Sequence, residues 1–332
     1  MSTILVTGGA GYIGSHVVKL LTGQGENVVV LDDLSTGFEE SILGGATLVK
    51  GNTRDRDVLD KIMSEHKVDT VMHFAAHTIV PESVEDPLKY YGNNTVGTHT
   101  LLQACQAHGV KNFVFSSTAA TYGDAPSGPC SEDMPTAPIN AYGMSKLMSE
   151  RMLQDLDPVC EMNHVILRYF NVAGSDPDGE IGQSTEKATL LVKVAAEHVV
   201  GKRDKLYIFG TDFDTPDGTG IRDYIHVSDL ASAHISALRY LRDGGTSTLL
   251  NCGYGHGYSV REVIETVQKV AGPTVNMNVE EQPRRAGDPP SLVAKVDKIH
   301  KTLDWKPQYD DLEIIARTSI DWERKLLEKR GS

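Results

Sequence analysis

Short apolar runs rich in β-branched residues alternate along the chain with longer stretches in which apolar residues recur every three or four positions. The short runs predict buried parallel strands, and the longer stretches predict helices that cover them. The predicted strands are Thr3–Thr7, Asn27–Leu31, Thr47–Lys50, Thr70–Phe74, Asn112–Ser116, Val165–Tyr169 and Thr248–Asn251. The predicted helices are Ser15–Thr22, Arg56–Glu65, Leu88–His108, Asn140–Asp155, Ala188–Val200, Ile225–Leu241, Val260–Val270 and Ile314–Lys329.

Strands that alternate with helices predict a parallel sheet with right-handed crossovers. Beyond Asn171 the pattern changes, because long polar loops separate the remaining elements. These loops are Gly174–Thr185, Gly210–Gly220 and Glu281–Pro290, and an earlier one is Tyr122–Pro138. We therefore predict an α/β fold, a Rossmann-type doubly wound parallel sheet with a smaller, interleaved C-terminal substrate lobe. Residues 1–170 would form the first domain and 171–332 mostly the second, with a segment near 222–251 returning to the first.

Three glycines lie where the first strand turns into the first helix. Gly8, Gly11 and Gly14 have the spacing that permits a tight turn and a close approach of backbone to a pyrophosphate. The second strand ends at Asp32 and Asp33, about 20 residues further on, where an acid accepts from a ribose 2′-hydroxyl. Since a carboxylate repels the 2′-phosphate of NADP, this arrangement favours NAD.

Tyr142 and Lys146 lie four residues apart in a predicted helix, and therefore on one face of it. Asn140 would cap the start of this helix and Pro158 would end it. An ammonium beside a phenol favours the phenolate, so we expect the pKa of Tyr142 to lie below its usual value of about 10. Such a phenol can accept a proton near neutral pH. The same spacing also occurs on solvated helix faces, and the pair alone does not distinguish the two.

Composition and charge indicate which kinds of molecule the protein is not expected to bind. With a formal net charge of −13 over 332 residues, neither nucleic acid nor an anionic membrane is expected to bind. The four cysteines lack CxxC spacing and are expected to be reduced, and no metal site is expected. No apolar run approaches the roughly 20 residues of a membrane span, and a strand begins too early for a signal peptide, so we expect a cytoplasmic protein.

Several motifs together resemble extended short-chain dehydrogenase/reductases, and more narrowly the family of UDP-glucose 4-epimerases. The glycine loop, the Ser116–Thr118 strand end and the Tyr142/Lys146 pair carry the broader resemblance. The narrower one is carried by the segments 73–76 (His-Phe-Ala-Ala), 90–94 (Tyr-Tyr-Gly-Asn-Asn), 168–171 (Arg-Tyr-Phe-Asn), 218–226 (Gly-Thr-Gly-Ile-Arg-Asp-Tyr-Ile-His) and 284–288 (Arg-Arg-Ala-Gly-Asp).

The resemblance implies an isomerase that epimerises a UDP-hexose at C4, interconverting UDP-glucose and UDP-galactose as in galactose metabolism. Transient oxidation to a 4-keto sugar, rotation and hydride return would use bound NAD. The implied catalytic residues are Tyr142 as base, Lys146 and Thr118. The implied cofactor-binding residues are Gly8, Gly11, Tyr12, Ile13, Gly14, Asp32, Asn52, Thr53, Phe74, Ala75, Ala76, Asn93, Ser116, Tyr142, Lys146 and Tyr169. The implied substrate-binding residues are Thr118, Asn171, Leu191, Arg222, Tyr224, Arg285, Asp288 and Leu292.

Four positions depart from the family pattern. Asn52 replaces an aspartate at the adenine, and Thr78 stands where some members carry a lysine near the cofactor. Leu190 stands where Asn or His often contacts the uridine phosphates, and Leu292 stands at a position whose size controls entry of N-acetylated sugars. These departures leave the preferred sugar open.

The same fold can also carry functions other than 4-epimerisation of a UDP-hexose. A UDP-pentose or UDP-uronic acid 4-epimerase, or a UDP-sugar decarboxylase, stays open as an alternative. A 4,6-dehydratase needs an acid pair after its active threonine, whereas Ala-Ala-Thr follows Thr118. A non-catalytic dinucleotide-binding protein would tend to lack the tyrosine or the lysine, and Arg222 and Arg285 disfavour a simple dehydrogenase.

A homodimer is expected, partly from the resemblance. The helices Leu88–His108 and Asn140–Asp155 would pack against their symmetry mates as a four-helix bundle. The apolar residues on them that suggest this are Leu101, Leu102, Met148 and Met152.

Overall fold

A computed structural model describes residues 2–124, 128–185, 188–285 and 288–331 of the chain. Its centre is a seven-stranded sheet in which every neighbouring pair is parallel. Across the sheet the strands are Thr248–Cys252, Asn163–Tyr169, Asn112–Thr118, Val68–His73, Thr3–Thr7, Asn27–Asp32 and Thr47–Lys50. The chain reverses its winding direction between Thr3–Thr7 and Val68–His73, and ligands bind at such a switch point.

Helices cover both faces of the sheet because successive strand residues point to opposite sides. One core packs the helices Tyr12–Gly23 and Val227–Arg242 against residues such as Ile4 and Val6. The other packs helices on the opposite face against Leu5 and its neighbours. Those helices are Arg56–His66, Gly97–His108 and Ala141–Leu156. The predicted doubly wound α/β sheet is confirmed.

The smaller lobe is built from the later segments. Its helices Leu191–Val199, Val260–Ala271 and Leu312–Gly331 share a third apolar core, and a short helix, Asp297–Thr302, follows the lobe's last strand. Its short strands pair as Leu206–Phe209 with Val279–Gln282, and as Ile221–Arg222 with both Tyr258–Ser259 and Ser291–Leu292. Asn171–Ala173 and Tyr224–His226 form a further strand pair, and the Val227–Arg242 helix follows directly. The next strand, Thr248–Cys252, returns to the large sheet and forms its edge.

The long helix predicted over Leu88–His108 is wrong as a single regular element. The structure has a helical turn at Pro87–Tyr90, a π-helical turn at Tyr91–Val96 and a regular helix over Gly97–His108. A short helix, Val80–Glu85, precedes them. The π turn occurs where the buried side chain of Asn94 bonds to groups outside the helix, a constraint that local pattern does not reveal.

Other predicted bounds shift by a few residues. The first helix begins at Tyr12, directly after Gly11, and the last begins at Leu312. The helix predicted from Ile225 begins at Val227, since the two preceding residues belong to a strand. Part of the loop predicted over Glu281–Pro290 lies in the Val279–Gln282 strand. Residues 125–127, 186–187 and 286–287, which fall within or next to predicted loops, lie outside the described residues.

Two of the four apolar residues that suggested a dimer surface do not lie at the surface. Leu101 and Leu102 are buried in the chain's own core rather than presented at the surface. Met148 is 41% exposed, and Val96 and Leu88 are also exposed apolar side chains on these helices. No helix in the described part of the chain is long and apolar enough to cross a membrane.

Candidate active site

One cavity of about 630 Å³ lies at the carboxyl ends of the central strands and extends to the smaller lobe. It brings together most residues singled out from the sequence. The predicted residues lining it are Gly8, Gly11, Tyr12, Ile13, Gly14, Asp32, Asn52, Thr53, Phe74, Ala75, Ala76, Asn93, Thr118, Tyr142, Tyr169, Asn171, Arg222, Asp288 and Leu292.

The glycine loop forms one wall of the cavity, and its glycines are required by the space around them. A Cβ on Gly8 would lie 2.5 Å from the backbone nitrogen of Ala75, and its φ of +73° suits glycine. A Cβ on Gly14 would lie 2.2 Å from the carbonyl oxygen of Gly8. The Tyr12–Gly23 helix begins here with no side-chain cap and no acid in its first turn. Its N-terminus can therefore receive an anion such as a diphosphate.

Two carboxylates line the cavity at the end of the second strand. Asp32 is buried and accepts hydrogen bonds from the backbone N–H groups of Ala10 and Leu34, both at 2.9 Å. Burial raises the pKa of Asp32, and these bonds act against that rise. Although burial also acts on Asp33, hydrogen bonds from Ser35 and Asn52 hold the pKa of Asp33 below its usual value. Both groups are placed to accept from hydroxyls in the cavity.

Asn52 holds Asp33 in place. Its Nδ2 donates to Asp33 at 2.8 Å, while its Oδ1 accepts from the backbone and side chain of Arg54 at 3.0 Å. An aspartate at position 52 could not donate and would repel Asp33. The departure at this position therefore has a clear structural effect: it fixes the second carboxylate.

Tyr142 lies on the Ala141–Leu156 helix, which begins as predicted with Asn140 accepting from the backbone N–H of Gly143 at 2.8 Å. The phenol is buried and hydrogen-bonded to Thr118. Burial raises the pKa of Tyr142 and the Thr118 hydroxyl lowers it, with the net result above the usual value. The expectation of a lowered pKa is therefore wrong for this environment, because burial outweighs the neighbouring groups.

Lys146 is buried one turn after Tyr142. Its Nζ donates to the carbonyl oxygen of Ser116 at 2.9 Å and lies 4.9 Å from the centre of the Phe115 ring. Burial lowers the pKa of Lys146 to about 7, which places its titration near neutral pH. Lys146 and Ser116 lie behind the cavity surface and are not among the described residues that line it.

The aromatic rings of Tyr169 and Phe74 also line the cavity. The hydroxyl of Ser116 donates to the Tyr169 oxygen at 3.0 Å. Behind both rings lies the buried His234, whose ring centre is 4.8 Å from that of Phe74 and 6.4 Å from that of Tyr169. Contact with His234 therefore supports both rings from within the core.

The π turn contributes Asn93 to the cavity and Asn94 to its support. Asn94 Oδ1 accepts from the backbone N–H of His77 at 2.9 Å, and its Nδ2 donates to the His77 carbonyl and to Ser145 at 3.0 Å. The Asn94 side chain thus links the loop after Phe74 to the Tyr142 helix. Sequence reasoning did not single out Asn94, although two consecutive asparagines in a helical stretch were a signal.

Polar and charged groups mark the other end of the cavity, in the smaller lobe. Asn171 follows the Asn163–Tyr169 strand, and Arg222 lies 3.6 Å from Asp288. Leu190 and Leu292 are apolar residues that also line the cavity. The region has the arginine that phosphate binding favours, and an apolar boundary of moderate size.

Three predicted substrate residues lie elsewhere in the structure. Leu191 is the first residue of its helix and packs into the core, while its neighbour Leu190 lines the cavity. Tyr224 is buried in the core beneath the site. The guanidinium of Arg285 stacks on Phe209, 3.7 Å from the ring centre. Among the residues that the structure describes, none of the three lines the cavity.

The cavity also has lining residues that were missed. Those with polar side chains are Ser35, Thr36, His77, Glu82, Lys89, Gln183, Thr185 and Thr189. Asp33, Thr78 and Asn140, which the sequence had singled out for other reasons, line it as well. Most lie in loops directly after strands or before helices, where position at the sheet edge was the available signal.

A cluster of three acids outside the cavity is filled by a lysine. Asp176, Asp178 and Glu180 could hold a metal ion by their spacing. The ammonium of Lys19 lies among them, at 2.8, 3.3 and 2.7 Å respectively. The positive charge that such a cluster requires is therefore supplied by the chain itself.

Comparisons with known proteins agree on the family. The family model described as "NAD dependent epimerase/dehydratase family" matches residues 4–253. The chain is 55% identical to the UDP-glucose 4-epimerase of Azospirillum brasilense over 99% of this chain and 94% of that protein.

Two solved structures are similar over almost the whole chain. UDP-glucose 4-epimerase from Brucella ovis in complex with NAD has a TM-score of 0.93 and 42% identity, covering 96% of this chain and 98% of that one. The UDP-Glc/GlcNAc 4-epimerase of Campylobacter jejuni has a TM-score of 0.85 and 49% identity, and the match covers 98% of this chain and 100% of that one.

Proposed function

The chain belongs to the NAD-dependent epimerase/dehydratase family, and we propose that it is an isomerase that interconverts UDP-glucose and UDP-galactose at C4. The observation that carries this proposal is one cavity lined by the glycine loop, by Tyr142 and Thr118, and by Arg222 of the smaller lobe. The strand order sets the glycine loop and Thr118 along the same sheet edge, as a dinucleotide and a nucleotide sugar that meet at the reacting carbon require. Interconversion of these two sugars would give the protein a role in galactose metabolism.

NAD fits the first half of the cavity. The uncapped N-terminus of the Tyr12–Gly23 helix suits its diphosphate, and Asp32 and Asp33 suit the adenosine ribose while disfavouring the 2′-phosphate of NADP. Phe74, Ala75, Ala76 and Asn93 would line the remainder, with Thr53 and Asn52 near the adenine. When bound, NAD supplies the hydride acceptor and donor for C4.

The reaction centre is formed by Tyr142, Thr118 and Lys146. Tyr142 would take the proton of the sugar 4-hydroxyl as hydride leaves C4, and Thr118 would hold the same oxygen by a hydrogen bond. Because burial raises the pKa of Tyr142, the base needs groups that lower it. The Thr118 hydroxyl and the Lys146 ammonium, one helical turn away, are placed to do so.

The UDP portion would be held in the smaller lobe. Arg222 can form charge-assisted bonds to the diphosphate once its contact with Asp288 is exchanged for the ligand, and Asn171 can bond to a neighbouring oxygen. Holding the substrate by UDP leaves the sugar free to turn, so that the ketone can present either face for hydride return. Arg285 would join the diphosphate only by leaving the Phe209 ring, and Tyr224 and Leu191 would act through packing.

UDP-N-acetylhexosamines are a second candidate substrate class. Leu292 gives the sugar end a side chain of moderate size, and the Campylobacter jejuni relative is named for both glucose and N-acetylglucosamine forms. UDP-pentoses and UDP-uronic acids, as well as decarboxylation of the latter, are further alternatives for the same site.

The proposal includes a homodimer and a cytoplasmic location. Leu88, Val96 and Met148 expose apolar surface on the helices that would pair with their symmetry mates. The free cysteines are consistent with a reducing compartment.

The test uses purified protein and UDP-galactose without added cofactor, with products read by proton NMR. We expect UDP-glucose to grow to an equilibrium mixture without accumulation of NADH. Repeating the reaction with UDP-N-acetylgalactosamine tests the second substrate class. No conversion of either sugar, even with NAD supplied, would contradict the proposal, and conversion of UDP-pentoses or UDP-uronic acids instead would redirect it to those substrates.

A further inference from the structure

Three side chains on one face of the Ala141–Leu156 helix are buried, and only two of them belong to the proposed reaction centre. Tyr142, Lys146 and Glu150 follow at intervals of four residues, so they lie one above another along the helix. Glu150 is fully buried, with a residue exposure that rounds to 0%. A carboxylate is almost never fully buried without a reason in its surroundings.

Each of these side chains meets a different residue at the end of the Asn112–Thr118 strand. Tyr142 bonds to Thr118, Lys146 donates to the carbonyl oxygen of Ser116, and Glu150 accepts from the Ser117 hydroxyl. Glu150 therefore belongs to the same helix-to-strand contact as the proton acceptor and its lysine. A shift of Glu150 would be felt directly by the strand end that carries Thr118.

The charge of Glu150 is balanced by Arg168 on the adjacent strand. Nε of Arg168 donates to Oε1 at 3.0 Å and Nη2 donates to Oε2 at 2.6 Å. The guanidinium also stacks on Tyr122, with 4.8 Å to the ring centre. A buried ion pair of this kind is often no more stabilising than apolar side chains of the same size. Stability alone therefore does not account for the pair.

One acidic side chain, Glu150, stabilises the charged form of Lys146. Burial lowers the pKa of Lys146, and the carboxylate of Glu150 raises it. The other groups that face it are neutral at pH 7, namely Tyr142 on its own helix, the Phe115 ring, and His73, whose pKa burial lowers to about 3. Arg168, on the next strand, is a cation, and it is paired with Glu150 itself.

We propose that Glu150 is a positioning residue of this enzyme: it increases the share of Lys146 that is in the ammonium form and fixes the strand end that carries Thr118. The inference rests on the proposed function in that Lys146 works at the reaction centre. Glu150 itself does not touch the cavity. It acts through Lys146 by charge and through Ser117 by a hydrogen bond.

The test separates charge from shape by comparing Glu150→Gln with Glu150→Asp. The titration midpoint of the Lys146 amine is followed by lysine side-chain ¹⁵N NMR, with Lys146→Arg used to assign the signal. Glu150→Gln should lower the midpoint by about one pH unit or more, whereas Glu150→Asp should leave it near the wild-type value. At pH 8 a one-unit shift reduces the charged fraction, and with it kcat, roughly tenfold, with little change in KM.

Two further variants keep the test decisive if Glu150→Gln folds poorly. Glu150→Gln/Arg168→Met removes both members of the ion pair, so neither is left buried without the other and the protein should fold. Because the cation is removed together with the acid, the Lys146 midpoint should still be lowered, but by less than in Glu150→Gln. Glu197→Gln removes a different buried carboxylate, which pairs with Lys193 and Arg203 in the smaller lobe, and should leave the Lys146 midpoint unchanged. A general loss of stability is thereby distinguished from a loss of charge at Lys146.

An unchanged Lys146 midpoint in both the single and the double variant would overturn the proposal, as would an equal shift in Glu150→Asp. If the wild-type protein fails to epimerise UDP-sugars, the proposed function is lost. The NMR midpoints still decide whether Glu150 sets the charge of Lys146.

Discussion

Tyr142 is buried in the middle of the cavity with Thr118 as its hydrogen-bond partner. A buried phenol keeps its proton more firmly than an exposed one, so the site must lower its pKa to use it as a base. Lys146 is the natural source of that effect, but its own pKa of about 7 makes its charge sensitive to the surroundings. At the scale of single residues, the chemistry depends on how burial and nearby charge are balanced.

Replacing Tyr142 by Phe removes the proton acceptor and little else. We expect kcat to fall by about 10²–10⁴-fold, the range for loss of a general acid or base, while NAD remains bound. Stopped assays of UDP-galactose conversion and the ratio of NAD to protein after gel filtration provide the measurement. Tyr207→Phe, at an exposed position, is the matched control and should retain wild-type activity. A near-wild-type rate for Tyr142→Phe would rule out its role as base.

Lys146→Met should stabilise the fold while it abolishes efficient turnover. The folded-state pKa of Lys146 lies below its unfolded value, so the unfolded chain binds more protons between about pH 7 and 10.5. The loss of folding free energy caused by burying the charged lysine is greatest below pH 7, and it declines as the pH rises through that window. We expect the Met variant to unfold with a free energy higher by about 0.5–2 kcal/mol at pH 7. Urea titrations at pH 7 and 9 should show that gap shrinking, and a gap that widens would be contrary to this account.

Elements place these residues by meeting at the sheet edge. The strand order brings the glycine loop, the loop after Phe74 and the Ser116–Thr118 strand end side by side, and the Tyr142 helix packs across them. The strands and most helices were predictable because apolar periodicity and glycine spacing are local signals. The π turn at Tyr91–Val96 was not, since Asn94 adopts it through bonds to His77 and Ser145 that are distant in sequence.

The site, too, has features that follow from local sequence pattern and features that follow from contacts distant in sequence. The glycines, Asp32 and Tyr142 were found from spacing, and all of them line the cavity. The raised pKa of Tyr142, the stacking of Arg285 on Phe209 and the buried position of Glu150 depend on tertiary packing. Local pattern therefore finds which residues approach the site, whereas their protonation and final contacts follow from the assembled structure.

Gly14→Ala tests the contact between the glycine loop and the first helix. The added Cβ would meet the backbone of Gly8 and Gly9, so the loop must open. We expect a loss of stability of about 1–3 kcal/mol and protein that no longer retains NAD on gel filtration. Gly23→Ala, at the end of the same helix with open space around it, should bind NAD normally. Full NAD retention by Gly14→Ala would show that the loop is not the diphosphate site.

At the scale of the whole molecule, the smaller lobe supplies Arg222, Asp288 and Leu292 to a cavity whose other end is built on the sheet. The lobe's segments are joined to the sheet domain by the Val227–Arg242 helix and the strand that follows it. In the proposed function, substrate would thus be held across two parts of the chain, with the sugar between them. Outside the cavity, the exposed apolar residues Leu88, Val96 and Met148 form the surface proposed for a dimer.

Met148→Glu places a charge on this proposed dimer surface. A buried charge without a partner opposes association, so the variant should be a monomer at micromolar concentration by light scattering, while the wild type is a dimer. Val159→Glu, at another exposed apolar position, should leave the mass unchanged. A wild-type protein that is itself monomeric would remove the dimer from the proposal.

The most direct measurement of the central claim uses UDP-galactose that carries deuterium at C4, mixed with purified protein and no added cofactor. If the hydride passes to bound NAD and returns to the same carbon, NMR and mass spectrometry will show UDP-glucose that retains the deuterium at C4. The 4-hydroxyl oxygen will be retained as well. Loss of the label to water, or its appearance in free NADH, would contradict the account of a 4-epimerase that keeps its cofactor and its hydride throughout the reaction.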